Sequence, residues 1–444
     1  FQIKHIFHHN AGRRHQVHRR LDITEEFIAQ HALRSTEVAV NPFAVALPLA
    51  AKPHSIRRLA ERDPDFMESY LSYALKAGSA GVSGIHLAWN DEEILTPNVS
   101  DRNTVLNMAI MALDAYCEVP EDSDWKDVGK PWNYTGDSFG WQDDGVRGHV
   151  FVSGDNSSVV ISLKGTNAAL FAFGARAHDE SFAVRDGSSE TVTNDKLNDN
   201  LLFSCCCARV SYLWTTVCDC YKSSYTCDQE CLEKEMVRED RYYRSVLDIY
   251  RNVTNMYPHA QNIWVTGHSL GGALASLLGR TYGLPVVAFQ APGELLATRR
   301  LHLPMAPGLP TYMEHIWHFG HTADPIYLGV CNGASLSCSV AGYAMETQCH
   351  TGLQCVYDVV TDLGWHLNVM NHRIHTVIDE VINVYNATPQ CFVPPPCRDC
   401  FNWKFVTHTT LASTTSSVCV PSATLEPRKC LKRTWYGLCY KWDD

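Results

Sequence analysis

The stretch "VTGHSLGGALASLLG", Val265 to Gly279, decides how the rest of the chain is read. An apolar run, "NIWVTG" at 262–267, meets an alanine- and leucine-rich run that stops at Gly283. The first predicts a buried strand and the second a helix. Between them Gly267 and Gly271 fill both glycine positions of G-x-S-x-G around Ser269, the pattern of a sharp strand-to-helix turn that presents a serine. A helix N-cap serine would not require both glycines. A serine hydroxyl is a weak nucleophile at neutral pH and needs a base for its proton and donors for the oxyanion that forms. Ser269 is therefore the candidate nucleophile, and the Leu270 amide, at the start of the helix, a candidate oxyanion donor.

Outward from this turn, "LPVVAF" at 284–289 predicts a second strand. Strand, helix and strand in such short order imply a right-handed crossover and a parallel pair. Further strands are predicted within 148–154, 157–165, 312–320 and 353–360, and helices over 24–34, 55–77, 102–117, 233–257 and 373–385. The pattern gives an α/β class, with a mostly parallel central sheet flanked by helices. In such a fold the acid and then the base follow the nucleophile in the chain. Asp324 lies just past a predicted strand, with Pro325 fixing the turn behind it. Glu314 and Asp358 are poorer rivals because each sits within or before a strand. His372 precedes a predicted helix and is the first candidate for the base. His366 is a second, His375 shares a helical face with Ile378, and His268 packs behind the turn. An early strand end should give the other oxyanion donor, and "VVISLKGTN" at 159–167 offers Thr166 after a bend at Gly165.

Composition bounds the setting. The 444 residues carry a net charge of -11, yet the first twenty hold five basic residues and no acid. An acidic body argues against nucleic acid as a partner, and the basic start reads as a flexible tail or a contact for an anionic membrane surface. Eighteen cysteines, an even count, and Asn-x-Ser/Thr sequons at Asn98, Asn133, Asn156, Asn252 and Asn386 imply an oxidising compartment and several disulfides. The cysteine spacings do not form paired zinc motifs, no calcium loop is visible, and the chemistry needs no metal or cofactor. No run of 18 or more apolar residues occurs. A chain starting at Phe1 is expected to lack an upstream signal or anchor. Residues 191–235 hold seven cysteines interleaved with Leu201, Leu202, Phe203, Tyr212, Leu213 and Trp214. These are expected to form a disulfide-braced lid or membrane-docking loop, since a large exposed apolar surface marks a docking site. Trp132 and Trp141 are weaker candidates for an acyl groove. Residues 390–444, rich in Pro, Cys, Ser and Thr, read as a disulfide-tied appendage to a domain spanning 1–389, whose first 146 residues are expected to be largely helical. The oligomeric state is not legible.

The set "SLKGTN", "VTGHSLGGALASLLG" and "GHTADPI" resembles the class 3 lipases. Lys164 stands where that family usually has arginine, which is tolerable because the amide and not the side chain is needed. A closer resemblance, to the fungal autophagic-body lipases, rests on "HRRLDI" at 18–23, "DSFGWQDDGVRGHVFVSGDNSSVVISLKGT" at 137–166, "SCCCARVSYLWTTVCDC", "GLPVVAFQAPGE" and "HRIHTVI". It implies an α/β-hydrolase fold and a vacuolar phospholipase, with Ser269, Asp324 and His372 as triad and Thr166 as oxyanion donor. It further implies phospholipid membranes of intravacuolar vesicles as partner, and arrival in the vacuole lumen through the endoplasmic reticulum and multivesicular bodies, with an N-terminal membrane anchor in the full-length form.

Overall fold

A computed structural model describes residues 1–9, 18–34, 42–82, 84–116, 123, 125–128, 145–166, 189–209, 216–331, 337–407, 430–433 and 439–442. Its strands, in chain order, are β1 (Gln2–His9), β2 (His18–Asp22), β3 (Ala51–Leu59), β4 (Trp89–Pro97), β5 (Trp125–Asp127), β6 (Val146–Val152), β7 (Ser158–Leu163), β8 (Tyr221–Ser223), β9 (Thr226–Asp228), β10 (Asn262–His268), β11 (Val286–Phe289), β12 (Ile316–His321), β13 (Leu353–Tyr357), β14 (Cys391–Phe392), β15 (Lys404–Val406), β16 (Cys430–Arg433) and β17 (Cys439–Trp442). Ten of them form one sheet in the order β14-β13-β12-β11-β10-β7-β6-β1-β2-β5.

The sheet is mixed, which corrects the expectation of a mostly parallel one. β7, β10, β11, β12 and β13 run parallel. β14 at one edge and the run β6, β1, β2, β5 at the other pair antiparallel. The basic start of the chain is thus no tail in its described part: β1 lies between β2 and β6. Its apolar residues divide between the two faces: the adjacent Ile6 and Phe7 point opposite ways, as period-two side chains must, and a register shift between Ile3 and His5 puts Ile3 on the face of Ile6.

Each face is covered. On one side the helix Tyr242–Met256 buries Tyr242, Tyr243, Val246, Ile249, Tyr250 and Val253 at helical spacing, and the helix Leu270–Tyr282 is buried throughout. On the other lie the helix Arg102–Asp114, capped by Asp101 accepting the Thr104 amide at 2.9 Å, and a helical run from Ile374 to Ile382 whose latter part, Val377–Ile382, is π-helical. Two expected helices differ. Residues 51–59 are a strand, and helix begins only at Pro64. β3 is held to β4 by charge pairs across the ribbon: Arg57 with both oxygens of Asp91 at 2.8 Å, and Arg58 and Arg62 on Glu92. A single-chain periodicity does not see such partners. The helix expected over 233–257 is two, Gln229–Met236 and Tyr242–Met256.

Seven disulfides lie among the described residues. Cys205–Cys400, Cys349–Cys397 and Cys355–Cys391 bind residues 391–400 to the main body. The body accordingly extends to Phe405, past the boundary expected at Pro389, and Val406–Asp444 is a second compact unit containing the antiparallel pair β16–β17. Among the described residues no helix is long and apolar enough to cross a membrane.

Candidate active site

The parallel strands place their following loops at one edge of the sheet, and the expected residues occur there. Ser269 follows β10 with φ 58° and ψ -130°, a conformation that L residues avoid and that costs about 1–3 kcal/mol. Its amide donates to the Phe289 carbonyl at 3.0 Å, which ties the turn to β11. The small neighbours are required. A Cβ on Gly271 would stand 2.1 Å from the Leu163 carbonyl oxygen, and one on Gly165 would stand 2.3 Å from that of His268. The helix therefore starts hard against the end of β7, bringing Gly165 and Thr166 beside the serine.

His372 Nε2 lies 2.8 Å from Ser269 Oγ, and His372 Nδ1 lies 2.7 Å from Asp324 Oδ2. All three side chains are buried. The other oxygen of Asp324 accepts the Ile326 amide at 2.9 Å. Burial alone would raise this carboxyl, but the His372 imidazole, His321 and the Ile326 amide outweigh it and hold the group below its ordinary value. The rivals lie elsewhere: Glu314 pairs with Arg280 at 2.6 Å, Asp358 caps the helix Val359–Leu363, and His366 and His375 are exposed.

Two further histidines hold the loop that carries His372. His268 Nε2 donates to the His372 carbonyl at 2.7 Å, so its Nδ1 accepts from the Tyr116 hydroxyl at 2.8 Å. Burial, reinforced by His372, brings His268 down to about 3. His321 Nε2 donates to the Asn371 carbonyl at 3.0 Å while its Nδ1 accepts the Ala323 amide, and burial lowers it too. Thr166 is buried and donates its hydroxyl to Asp199 Oδ2 at 2.6 Å; burial pushes that carboxyl well up. The Leu270 amide occupies the first helical position, where no intrahelical carbonyl reaches it. Tyr116 and Asp199 escaped the sequence reading. Asp195 and Asp199 stand four apart and are both buried, a spacing that could have flagged an inward polar face in "SETVTNDKLNDNLLF".

The lid residues separate. Leu201, Leu202 and Phe203 end the helix Ser189–Phe203 at 2, 3 and 0% exposure, packed in the main core. Their burial does not match the exposed membrane-docking loop expected of them. The Arg300 guanidinium donates to the Ser204 and Cys205 carbonyls, and Cys205, Cys206 and Cys207 are bonded to Cys400, Cys227 and Cys218, so the segment is clamped inward. Tyr212, Leu213 and Trp214 lie outside the described residues, as do Trp132, Trp141 and Asn133. Of the other sequons, Asn156 and Asn386 are exposed and Asn98 is partly so, whereas Asn252 donates its amide to the Asp248 carbonyl at 3.0 Å.

Comparison with known proteins gives the family. The sequence profile of the class 3 lipases matches residues 206–282. Proteins carrying the name lipase ATG15 align along the whole chain: that of Meyerozyma guilliermondii is 51% identical, with 88% of its own length covered. That of Pichia angusta is 56% identical, with 82% of its length covered. The chain belongs to the fungal ATG15 family of class 3 lipases. Like the family it is a serine-dependent ester hydrolase acting on lipids. A solved triacylglycerol lipase from Penicillium expansum, 11% identical, covers 58% of this chain and 81% of its own with a TM-score of 0.25, too slight a likeness to argue from.

Proposed function

We propose that this chain hydrolyses acyl esters of membrane phospholipids, phosphatidylserine among them, in autophagic bodies and other vesicles inside the vacuole. The observation that carries the reading is the unbroken chain from Ser269 Oγ through His372 to Asp324, at 2.8 and 2.7 Å. In it Ser269 attacks the ester carbonyl as His372 Nε2 takes its proton. Asp324 keeps the ring proton on Nδ1 and stabilises the imidazolium. The oxyanion is held by the Leu270 and Thr166 amides, Thr166 being fixed by its bond to Asp199. His372 returns the proton to the leaving alcohol, a lysophospholipid, and water resolves the acyl-enzyme by the same path. Every atom needed is supplied by the chain, so the step calls for no cofactor. Asn98, Asn156 and Asn386 are proposed glycan sites, consistent with delivery through the endoplasmic reticulum and multivesicular bodies to the vacuole lumen. The test is fatty-acid release from vesicles with and without phosphatidylserine, with Ser269→Ala alongside. Release that survives in Ser269→Ala refutes the assignment. Equal turnover of a soluble short-chain ester with none from vesicles refutes the substrate class.

A further inference from the structure

Glu294, just past β11, is fully buried, and among the described residues no lysine or arginine hydrogen-bonds its carboxylate. One oxygen, Oε1, accepts both the amide of Thr351, at 3.0 Å, and its hydroxyl. The carboxylate faces two imidazoles, neither of them part of the triad. His318 Nε2 stands 3.2 Å from Oε1, and His350 Nδ1 stands 3.6 Å from Oε2. His318, on β12, is fully buried, and neither of its ring nitrogens makes a hydrogen bond; nor do Glu294 Oε2 and His350 Nδ1. One nitrogen of His350 is committed: Nε2 lies 3.1 Å from the Tyr327 carbonyl. A carbonyl only accepts, so Nε2 carries the hydrogen. The neutral ring then turns a bare lone pair at Nδ1 toward a bare carboxylate oxygen, with no water-exposed surface to screen them.

Something positive belongs between these groups. A proton on His318 Nε2, 3.2 Å from Oε1, answers the charge on that side but leaves Oε2 and His350 Nδ1 facing each other, and a proton on His350 Nδ1 does not answer the distance, since 3.6 Å is beyond a hydrogen bond. A metal answers both. With bonds of about 2.0–2.1 Å and tetrahedral angles, neighbouring ligand atoms stand roughly 3.3 Å apart, close to the 3.2 Å from His318 Nε2 to Oε1 and somewhat under the 3.6 Å from His350 Nδ1 to the other oxygen, Oε2. One ligand atom from each of the three residues can be chosen so that all lie within 4.8 Å of one another. We propose that Glu294, His318 and His350 bind a zinc ion. Two imidazoles and one carboxylate suit zinc, whereas calcium and magnesium seek oxygen. The outer contacts suit it as well: the Tyr327 carbonyl fixes the tautomer of His350, and Thr351 orients the Glu294 carboxylate. The ion ties β11 and β12 to residues 349–351 and so to the loop that follows Asp324. Its role is structural and independent of the proposed phospholipase activity.

The test uses the whole protein, produced with zinc, its thiols alkylated and then desalted, and its metal counted by mass spectrometry. About one zinc per chain is expected in the parent and little in Glu294→Gln or His350→Gln. A chelator should lower the parent's melting temperature, and zinc should restore it. Cobalt exchanged into the parent covers the case of variants that fail to fold: visible bands without a thiolate-to-metal band are expected. The proposal is overturned if zinc-loaded parent holds less than about a tenth of an equivalent, if folded Glu294→Gln keeps its zinc, or if cobalt reports thiolate ligation. Labelling of Ser269 by a fluorophosphonate is scored in parallel, so that loss of the hydrolase reading and loss of the zinc reading are seen separately.

Discussion

Replacing Asp324 by Asn changes one oxygen for an NH2 and leaves the shape alone. The structure dictates which way the new amide points. Asp324 Oδ1 accepts the Ile326 amide at 2.9 Å, and Oδ2 faces His372 Nδ1 at 2.7 Å. An amide must keep its oxygen on Ile326, or two N–H groups would face each other in a fully buried site. Its NH2 then points at His372 and demands a bare Nδ1. The ring proton moves to Nε2, where it faces Ser269 Oγ at 2.8 Å and can no longer accept the serine's proton. The same tautomer error in other serine hydrolases costs about 10⁴ in kcat, roughly 5 kcal/mol. We expect that loss with little change in KM, on a soluble short-chain ester and on vesicles alike. The stability signature is separable. Asp324 sits below its ordinary value in the folded chain, so its charge stabilises the fold above the unfolded value, near 4, and that contribution is lost as pH falls through the folded value. The gap in urea midpoint between parent and variant should be widest near neutrality and close in acid. A kcat within tenfold of the parent, with near-UV circular dichroism unchanged, refutes the tautomer argument.

Three further outcomes follow from the packing. Burial raises the Asp114 carboxyl to about 7; the folded chain then holds a proton that the unfolded chain releases between about pH 4 and 7, and stability falls as pH rises through that window. Asp114→Asn should remove that slope and be more stable than the parent at pH 8 by up to about 4 kcal/mol, read from urea melts at pH 4, 6 and 8; parallel curves would contradict it. Phe203→Ala opens a hole in the main core and should cost about 3–5 kcal/mol, lowering soluble-ester and vesicle turnover together; a loss confined to vesicles would return the segment to a lid. Cys205–Cys400 closes a span of 195 residues, so Cys400→Ser should cost on the order of 5 kcal/mol and open the exposed Arg398 and Lys404 to trypsin; an unchanged digestion pattern would show that the other bridges suffice.

The nucleophile turn was legible because its constraint is local: Gly267 and Gly271 are demanded by backbone contacts within the motif and with β7. Asp324 and His372 could be named as candidates by their order after it, and the structure brings both into a chain with Ser269. What was lost depended on partners far away in the chain. Arg57 and Arg58 look like an exposed helical face until Asp91 and Glu92 are set across from them. The first residues look like a basic tail because Ile3, Ile6 and Phe7 do not alternate: a register shift between Ile3 and His5 breaks the period, and His8 and His9, polar by type, are buried by the sheet. Leu201, Leu202 and Phe203 look membrane-seeking because neither hydropathy nor cysteine spacing says whether a stapled segment faces outward, and the inward clamp comes from Arg300 and Cys400, each about a hundred residues or more downstream. Neither Tyr116 nor Asp199 belongs to a motif, since each acts on a side chain supplied by another element, the His268 ring and the Thr166 hydroxyl; only the four-residue spacing of Asp195 and Asp199 hinted at an inward polar face.

The site depends on buried neutral histidines in a way that bears on acid. The base loop hangs from His268 and His321, each donating its Nε2 hydrogen to a backbone carbonyl, of His372 and Asn371. Burial lowers both, His268 to about 3, so His268 keeps its tautomer well below neutrality and the loop does not loosen at that donor. The cost appears in stability instead. His18, His149 and His268 fall to about 3, and burial brings His315 to about 4. The unfolded chain takes up protons at these residues from about pH 6.5 downward while the folded chain refuses them, so acid drains the folding free energy. Asp114 and Glu314, both raised by burial to about 7, act with the opposite sign and stabilise the fold over part of the same range. The seven disulfides add a contribution that does not titrate, because they constrain the unfolded chain at any pH. A fold that holds the His372 loop on neutral imidazoles gives up stability in acid at each of them, and the buried carboxyls and the cross-links are what offset that loss.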